Sequence, residues 1–480
     1  MAARRQAAAA RPDPPVVHAA ARGGGRTPQK DGAGASGRTA HDRGGHGSLP
    51  SRRRARRAAR RARRRRLPHP EAGTAAGQAR RPARRPSQED DMTDHDELLD
   101  RARRMVPVLE ERAQDAEQRR ELPEATVKEL VDAEFHRILL PPERGGFGLG
   151  LETAFAVGGE LARGCTSTAW VATIYMIHNW MAAMLPERAQ REVFGGAGPV
   201  LPAGTLAPTG TARQVDGGYV LSGRWRWGSG IQHGTHALVA AQIELPESAI
   251  ERRMFLVDAA DLVVHDVWFT SGMLATGSND IEAREVFVPA WRTLLTSGLL
   301  TGVTAGTELY DLPTYRMPVI PAIAFSAAAP ALGTAEALLG SFENLMRTRR
   351  LAYSGAPYSE VVGAQLRLAK ATAELRAARL LFDDTVRWVQ DTYAGGAALD
   401  LDGRARCRLI AAHVTDVAAS AINLLAEASG ASSQFLHSPF QRAQRDVNTI
   451  KSHLVCDVDG ARELYGKVRM GLDLVPGTLV

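Results

Sequence analysis

The spacing of apolar residues divides the chain into three regions with different patterns. Residues 96–198 carry apolar positions three and four apart, as in "ELPEATVKELVDAEF", where Pro123 suits the first position of a helix. The stretches Leu151–Cys165 and Thr168–Phe194 have the same helical character. The pattern therefore predicts an N-terminal helical domain over residues 92–198.

The pattern changes to that of β-strands in the next hundred residues. A Gly-Gly turn leads into the alternating stretch "GGYVLSGRWRWGSG", and "THALVAAQI" and "RMFLVDA" are short apolar runs typical of buried strands. The stretch "IEAREVFVPAWR" alternates again and is interrupted at Pro289. These signals predict a β-domain over residues 199–296.

Long helical patterns return in residues 297–480. The apolar stretch that contains Pro330 is predicted to be a helix, bent or broken near that proline. Two further long stretches are low in glycine and proline, and the second ends at Gly430, a natural helix stop. Helices this long and apolar favour a C-terminal bundle whose packing continues between subunits.

Residues 1–91 differ from all of this in composition. They hold 22 Arg and one Lys against seven acidic residues, a net charge of +16, whereas the remainder has 37 basic and 46 acidic residues, a net charge of −9. A segment so poor in large apolar residues is expected to be disordered. The composition resembles translated GC-rich upstream DNA, which favours Met92 as the start. A genuine basic tail that binds an acidic partner and a targeting segment are the alternatives.

Cysteines and the remaining apolar runs bound the class of protein. The chain has three cysteines, Cys165, Cys407 and Cys456, without a CxxC pair, which argues against a disulfide framework or a zinc site and predicts a cytoplasmic location. No carboxylate–histidine cluster suggests a metal site. The uncharged stretch Thr168–Leu185 approaches the length of a membrane span, but Thr, His and Asn residues interrupt it. It is predicted to be a buried helix, and no membrane association is expected.

The stretch "RWRWGSGIQHG", Arg224–Gly234, concentrates aromatic and small residues. Its alternation predicts a strand with one aromatic face, and Gly228 and Gly230 allow a sharp turn and a close backbone approach. A strand end packed into a sandwich core is the simpler interpretation of these residues alone. The alternative is that these residues form an apolar surface that binds a flat, reactive ring beside the Ser229 hydroxyl.

Five motifs, taken in order and spacing, resemble a known family. They are "PERGGFGLG", "STAWVATIYMIHNW" with "PERAQREVF", "GGYVLSGRWRWGSGIQHGTHALV", "GMLATGSND" with "VFVPAWR", and "PFQRAQRDVNTIKSHL". From about Leu98 to Gly471 the chain resembles the acyl-CoA dehydrogenase fold, and more closely its branch of two-component flavin-dependent monooxygenases. The resemblance implies an α+β, mainly α fold with an N-terminal helical domain, a middle β-domain and a C-terminal helical bundle.

The resemblance also implies an activity and its partners. The chain is expected to be the oxygenase component, which uses reduced FMN or FAD and O2 through a C4a-hydroperoxyflavin to hydroxylate an aromatic or polyketide-like small molecule. It contains neither a strand–GxGxxG–helix unit nor a GxxxxGK[ST] motif, so it is not expected to bind NAD(P)H. A separate NAD(P)H-dependent flavin reductase is then expected to supply the flavin. The family further implies a homotetramer.

The resemblance assigns cofactor contacts to particular residues. Those expected at the flavin ring are Leu206, Trp227, Gly228, Ser229, Gly230 and Ser278. The hydroxyl of Ser229 would hydrogen-bond flavin N5 and stabilise the peroxide on the adjacent carbon, a tuning role typical of the protein in a flavoenzyme. Those expected at the flavin tail, often across subunits, are Arg349, Gln365 and Gly430. Arg349 suits a phosphate, although the sequence "RTRR" leaves the particular arginine open.

Two histidines are candidate catalytic residues. The dehydrogenase branch often has an aromatic-Glu-Gly sequence where this chain has His453 followed by Leu and Val, which counts against removal of an α-proton from an acyl thioester. A histidine there matches the hydroxylase branch, in which an imidazole accepts the proton of a phenol. His178 is expected either at the active-site cavity as a substrate-orienting group or as a satisfied core histidine.

Two other functions compete with this prediction. An acyl-CoA dehydrogenase or oxidase is the first, although such an enzyme would generally retain its FAD and would need the missing base. A nucleic-acid-binding protein is the second, and it rests on residues 1–91 alone. The acidic remainder offers no basic face for a nucleic acid, so we do not expect such a partner.

Overall fold

Five helices form the N-terminal part of the chain in the computed structural model, which describes residues 88–246, 249–475 and 477–480. They are α1 (Gln88–Arg119), α2 (Glu124–Asp132), α3 (Leu151–Ala162), α4 (Thr166–Ala182) and α5 (Glu187–Phe194). The predicted helix over Thr168–Phe194 is two helices, because the extended backbone of Pro186 precedes α5. The disorder predicted for residues 1–91 is wrong for residues 88–91, because helix α1 begins at Gln88; residues 1–87 lie outside the described residues.

One seven-stranded sheet follows, and it lies within the predicted β-domain. Its strands are β1 (Pro202–Val215), β2 (Gly218–Gly228), β3 (His236–Glu244), β4 (Ile250–Asp258), β5 (Val263–His265), β6 (Asn279–Pro289) and β7 (Thr293–Leu295). The order is β5-β6-β2-β1-β3-β4-β7, with β1 parallel to β3 and the other pairs antiparallel. The indole of Trp225 is fully buried in the core of this sheet and donates to the Ala240 carbonyl oxygen.

Seven helices complete the described chain. They are α6 (Thr296–Thr301), α7 (Ala305–Leu309), α8 (Val319–Thr348), α9 (Val362–Ala394), α10 (Leu401–Ala428), α11 (Pro439–Lys451) and α12 (Val458–Arg469). The predicted break in α8 does not occur, since the helix continues through Pro330. Packing against α3, α4, α9 and α10 holds α8 helical despite the missing N–H, and the Thr334 hydroxyl donates to the Pro330 carbonyl oxygen. Helix α10 ends just before Gly430, as predicted.

Helices α8 and α10 are long and apolar enough to cross a membrane by length and composition alone. The most apolar window of α8 is 78% buried inside the structure, and that of α10 is 56% buried. Burial by neighbouring helices is what the central helices of a globular bundle require, so the apolar character of α8 and α10 has a sufficient explanation in the core.

Helix α4 connects the helical part to the sheet and therefore positions the candidate site. It contacts β1, the 3-10 turn Leu274–Thr276 before β6, and α11 of the C-terminal bundle. Nearly all of its residues are buried, which explains the uncharged pattern in this part of the sequence. Polar side chains on α4 consequently meet the strand ends and the C-terminal helices within the protein interior.

Candidate functional site

Three side-chain hydroxyls form a continuous chain between the end of β2 and the start of β6. Ser229 Oγ lies 2.7 Å from Ser278 Oγ, and Ser278 Oγ lies 2.7 Å from Thr276 Oγ1. Thr276 Oγ1 donates to the Met273 carbonyl oxygen at 2.8 Å, and the Trp170 indole N–H donates to Ser229 Oγ at 3.1 Å. All three hydroxyl residues are buried. We call Ser229, Ser278 and Thr276 the hydroxyl chain; it brings together two of the predicted flavin contacts, Ser229 and Ser278.

The end of β2 is shaped by a bulge, and this corrects one expectation. The β2–β6 register shifts between Trp225 and Gly228, and Trp227 has a positive φ of 67°. Because the alternation is broken there, the two tryptophans do not form one aromatic face: Trp225 is fully buried, whereas Trp227 is 58% exposed. An exposed indole two residues before the buried Ser229 provides a flat apolar surface.

The two glycines of this turn are explained by packing inside the protein. A Cβ on Gly230, whose φ is 74°, would lie 2.6 Å from the Tyr175 hydroxyl, and one on Gly228 would lie 2.5 Å from Ile281 Cδ1. Tyr175 also donates its hydroxyl to the Gly230 carbonyl oxygen at 2.7 Å. The close backbone approach predicted from the sequence is therefore an approach to α4 and β6, which fixes the position of Ser229 between them.

His453 reaches the same site from the C-terminal helices. Its ring lies edge-on to the Trp170 indole, with ring centroids 5.7 Å apart and planes at 68°. His453 is exposed as a residue, and the protein atoms packed around its imidazole desolvate the ring and lower its pKa. The Val455 backbone N–H donates to His453 Nδ1 over a long distance of 3.4 Å. Trp170 thus contacts both Ser229 and His453, the two main candidate catalytic residues.

Leu206 lies on the sheet side of the helical core. It is half-buried and sits where the β1–β3 register shifts between Thr205 and Gly210. A bulge turns the side chains of a strand away from strict alternation, as it does at Trp227. Leu206 therefore offers an apolar contact from β1, and its predicted role at the flavin ring stays a prediction.

His178 makes the contacts that the simpler alternative, a satisfied core histidine, requires, and its catalytic role stays a prediction. Its ring is buried, and Nδ1 donates to the Pro202 carbonyl oxygen at 3.0 Å. Burial lowers its pKa to about 4, so the imidazole is neutral at physiological pH. His178 follows Trp170 by eight residues on α4, about 12 Å along the helix axis. Its contact anchors the first residue of β1 and matches the simpler alternative of a satisfied core histidine.

A second group of predicted residues lies at the ends of α8 and α10. Arg349 Nη1 donates to the Ser429 carbonyl oxygen at 2.6 Å, and the Arg349 guanidinium lies over the Tyr358 ring at 5.3 Å. Gly430 follows Ser429 with φ 72° and ψ −173°, a conformation essentially restricted to glycine. A Cβ at Gly430 would lie 3.2 Å from Arg349 Nη2. Arg349 and Gly430 therefore form one structural unit.

The contacts of the neighbouring arginines and of Gln365 show which residues adjoin Gly430. Arg347 pairs with Glu343, and Arg350 Nη1 donates to the Gly355 carbonyl oxygen, so Arg349 is the arginine of "RTRR" that adjoins Gly430. Gln365 is exposed in the first turn of α9, where its amide donates to the Ser359 carbonyl oxygen at 2.8 Å. No contact within the described part of this single chain joins Gln365 to Arg349.

The loop that carries the hydroxyl chain is fixed by a buried carboxylate that sequence reasoning missed. Met273 has a positive φ of 57°, and its backbone N–H donates to Asp446 on α11. Burial raises the pKa of Asp446 to about 6. Its charge is partly offset by Arg445, whereas nearby Glu117 opposes ionisation. The carbonyl oxygen of Met273, which ends the hydroxyl chain, is thereby held in place from α11.

The site residues fit a flat, partly polar ring with a charged tail. The exposed indole of Trp227 and the half-buried Leu206 offer apolar contacts, while Ser229 offers a hydroxyl next to Trp170 of α4. Arg349 supplies a fixed guanidinium of the kind that pairs with phosphate. The donor and acceptor types present are those that a flavin would need, and these residues would hold it.

Comparison with family models identifies the fold. A model described as acyl-CoA dehydrogenase, N-terminal domain, matches residues 92–194, and one described as acyl-CoA dehydrogenase, C-terminal domain, matches residues 325–458. The two matched segments are the helical parts on either side of the sheet. The α+β, mainly α architecture predicted from the sequence is confirmed as the acyl-CoA dehydrogenase fold.

Individual relatives are similar over almost their whole length. A pigment production hydroxylase of a Rhodococcus strain is 33% identical over 376 residues, covering 78% of this chain and 97% of the relative. The flavin-dependent monooxygenase oxygenase subunit HsaA of Rhodococcus jostii is 30% identical over 77% of this chain and 97% of its own length. The oxygenase component of p-hydroxyphenylacetate 3-hydroxylase from Acinetobacter baumannii is 27% identical over 79% of this chain and 90% of the relative.

A solved structure adds a bound flavin to these similarities. XiaF from a Streptomyces species, in complex with FADH2 and glycerol, superposes with a TM-score of 0.75 at 28% identity, covering 82% of this chain and 99% of XiaF. The resemblance drawn from the five sequence motifs is thus confirmed, and the dehydrogenase alternative is not supported by the relatives named. The chain belongs to the flavin-dependent monooxygenases of the acyl-CoA dehydrogenase fold, as an oxygenase component.

Proposed function

We propose that this oxygenase hydroxylates a phenolic or related aromatic small molecule at the site where Ser229, Trp170 and His453 meet. The contact of Trp170 with both Ser229 and His453 is the observation that carries the proposal, because it brings a polar group for the flavin and a proton-handling group for the substrate to one site. The name of the Acinetobacter relative, a p-hydroxyphenylacetate hydroxylase, supports a phenolic substrate.

Reduced flavin would supply the electrons that activate O2 for transfer to the aromatic ring. In this proposal Trp227, Leu206 and the turn Gly228–Gly230 hold the ring, and Ser229 and Ser278 form the polar contacts at its reactive edge. Arg349, with Gly430 beside it, binds the phosphate-bearing tail, and Gln365 contacts the tail bound to a neighbouring subunit. The cofactor is reduced FMN or FAD, and the FADH2 found in XiaF makes FADH2 the first ligand to test.

His453 is proposed to handle the phenolic proton. The lowered pKa keeps its imidazole neutral at physiological pH, and only the neutral form can accept a proton. The long contact from the Val455 N–H to Nδ1 favours the tautomer that carries its proton on Nε2. Acceptance at Nε2 requires the other tautomer, and a contact of 3.4 Å is a weak obstacle to that exchange.

The reaction requires partners outside this chain. The name of HsaA, an oxygenase subunit, supports a separate NAD(P)H-dependent reductase that delivers the reduced flavin. We further infer a cytoplasmic homotetramer. An exposed apolar strip on α9 supports subunit contacts: Val362, Leu366 and Leu380 lie on one helical face and are 64%, 67% and 55% exposed. Gln365 lies beside this strip, where a neighbouring subunit would bring it to a second chain's flavin.

A reconstituted assay tests the proposed function. The full chain is combined with FAD or FMN, a flavin reductase, NADH and a phenol such as p-hydroxyphenylacetate, and hydroxylated product and hydrogen peroxide are both measured. Product formation that persists when a dialysis membrane separates reductase from oxygenase supports delivery by diffusion. Consumption of reduced flavin without product from any of a panel of phenols and fused-ring aromatics would contradict the aromatic substrate class.

A further inference from the structure

The hydroxyl chain has a direction, and that direction determines what Ser229 offers to a ligand. Each serine or threonine hydroxyl has one proton to donate. The proton of Thr276 is committed to the Met273 carbonyl oxygen, so the contact between Thr276 and Ser278 is satisfied when Ser278 donates. The proton of Ser278 is then used, and the contact between Ser278 and Ser229 is satisfied when Ser229 donates.

The other neighbour of Ser229 leaves this direction unchanged. The Trp170 indole N–H is a donor only, and it points at Ser229 Oγ over 3.1 Å. One arrangement therefore satisfies all four contacts: Trp170 donates to Ser229, Ser229 to Ser278, Ser278 to Thr276, and Thr276 to the Met273 carbonyl oxygen. Burial of the three hydroxyls strengthens this preference, because an unmade hydrogen bond in the interior is costly.

We propose that the hydroxyl chain makes Ser229 a hydrogen-bond acceptor toward the flavin and so selects the reduced over the oxidised cofactor, with Trp170, Ser278 and Thr276 as positioning residues. The inference rests on the proposed placement of the flavin ring at Ser229. Reduced flavin carries a proton on N5 and needs an acceptor there, whereas oxidised flavin has an unprotonated N5 and needs a donor. Ser229 has one remaining lone pair and no remaining proton, which matches the reduced form.

Selective binding of reduced flavin would benefit a protein that receives its flavin by diffusion. An oxygenase that bound the oxidised cofactor tightly would be inhibited by its own spent flavin. A site that presents only an acceptor to N5 discriminates against oxidised flavin, because flavin N5 and Ser229 are then both acceptors and neither is paired. An unpaired polar group in a binding site is a strong source of specificity. The preference is then encoded in the two hydroxyls that follow Ser229 in the chain, those of Ser278 and Thr276.

Anaerobic binding measurements test the direction of the chain without any turnover. Dissociation constants for FAD and FADH2 are measured by titration calorimetry for the wild type, Ser278→Ala and Thr276→Val. Ser278→Ala removes the acceptor of the Ser229 proton directly. Thr276→Val leaves Ser278 without an acceptor, so Ser278 can donate to Ser229 instead and free the Ser229 proton for the ligand. We expect affinity for oxidised FAD to rise and the preference for FADH2 to fall by about tenfold, the value of one hydrogen bond.

Three controls distinguish a change in the direction of the hydroxyl chain from a general disturbance of the site. Thr276→Ser keeps the hydroxyl and should keep the wild-type preference. Thr385→Val removes a buried hydroxyl on α9 that bonds the Leu381 carbonyl oxygen, and it should also leave the preference unchanged. In a Ser229→Ala background, adding Ser278→Ala should have no further effect, because the group whose polarity it controls is gone.

The possible results distinguish this inference from the proposed function. A wild type that binds neither FADH2 nor FMNH2 would overturn the proposed flavin site itself. A wild type that prefers the reduced flavin, together with Ser278→Ala and Thr276→Val variants whose preference stays within twofold of it, would overturn the directed chain alone. Circular dichroism and the folded Thr276→Ser variant show whether a loss of binding reflects unfolding.

Discussion

The imidazole of His453 packs edge-on against the indole of Trp170, with ring centroids 5.7 Å apart. The same indole donates its N–H to Ser229, so a residue at the start of α4 ties the end of β2 to the segment after α11. Three parts of the chain separated by 59 and 224 residues from one another thereby meet at one point. A change at any of these residues is expected to affect the division of activated oxygen between product and hydrogen peroxide.

Ser229→Ala tests the polar contact at the reactive edge of the flavin. The substitution removes a hydrogen bond to a polarised group, worth about 1.5–3 kcal/mol, so the release of hydrogen peroxide should accelerate roughly tenfold to a hundredfold. Stopped-flow mixing of the reduced complex with O2 measures this rate. A rate within a factor of two of the wild type would remove Ser229 from the mechanism. Ser229→Cys serves as a second variant, because it fills the same space with a weaker hydrogen-bonding group.

Gly430→Ala tests the unit formed by Arg349 and Gly430. The backbone conformation there costs a residue with a Cβ about 1–3 kcal/mol, and the new Cβ would press on the Arg349 guanidinium. We expect a lower free energy of unfolding in urea and weaker flavin binding. Gly340→Ala is the matched control: it lies exposed within α8 with nothing near its Cβ, and it should stabilise the protein by about 0.5–1 kcal/mol. Unchanged stability of Gly430→Ala would contradict the assigned strain.

His178→Asn tests the structural role of the buried histidine through pH. The folded-state pKa of about 4 lies below the ordinary 6.5, so between these values the unfolded chain binds a proton that the folded chain does not. The contribution of His178 to the free energy of unfolding is therefore fully present above pH 6.5 and decreases as the pH falls toward 4. Asparagine keeps an N–H for the Pro202 carbonyl oxygen without titrating, so up to about 3 kcal/mol of this loss should disappear.

Urea unfolding at pH 8, 6 and 5 checks this expectation for the wild type and His178→Asn. The difference at pH 8 reports packing alone, because both side chains are neutral there. His136, whose pKa burial also lowers to about 4, is retained in both proteins and contributes equally. Parallel stability profiles across this pH range would show that His178 is not desolvated as described.

The apolar strip on α9 tests the proposed tetramer. A charge within a buried subunit interface is costly when it has no partner, so the double variant Leu366→Glu with Leu380→Glu should dissociate the assembly. Light scattering at micromolar concentration should show four chains for the wild type and fewer for the variant. Ile250→Glu, at an equally exposed position at the start of β4, is the control and should remain tetrameric. A monomeric wild type would contradict the proposed assembly.

The sequence predicted the elements more fully than the contacts between them. Hydrophobic periodicity located the sheet and the long helices, since each pattern reflects one local geometry. It could not predict that α8 continues through Pro330, because packing from four neighbouring helices decides that point. Nor could it predict the bulge that separates Trp225 from Trp227, because a bulge depends on the pairing of β2 with β6.

For the candidate site, too, the sequence predicted individual residues better than the contacts between them. Ser229, Ser278 and His453 were predicted from the resemblance, whereas Trp170, Thr276 and Asp446, which contact them or hold their loop, were not singled out. Trp170 lies in an apolar helix pattern that is typical of the core, and its indole N–H, which needs a partner when it leaves solvent, is the one feature that could have marked it. The direction of the hydroxyl chain depends on four contacts among residues far apart in sequence. No local pattern encodes such a relationship.

His453→Ala tests how the substrate proton is handled. The variant should bind reduced flavin and consume O2 as the wild type does, but product per flavin consumed should fall. General-base assistance is typically worth about 10²–10⁴-fold, which is enough for hydrogen peroxide release to dominate. Because the pKa of His453 is lowered in the wild type, the wild-type enzyme should lose coupling in acid only below pH 6.5. His265→Ala, on the edge strand β5, is the control and should remain coupled.

The pH dependence of the variant separates two roles for His453. If the imidazole accepts the phenolic proton, raising the pH toward the phenol pKa near 10 supplies an already ionised substrate and should partly restore coupling in His453→Ala. If the imidazole instead donates Nε2–H to a phenolate, high pH should not help, whereas His453→Gln, which retains an N–H donor, should preserve coupling at neutral pH. Wild-type coupling of His453→Ala at neutral pH would contradict both roles. The contact with Trp170 would then be one of packing alone.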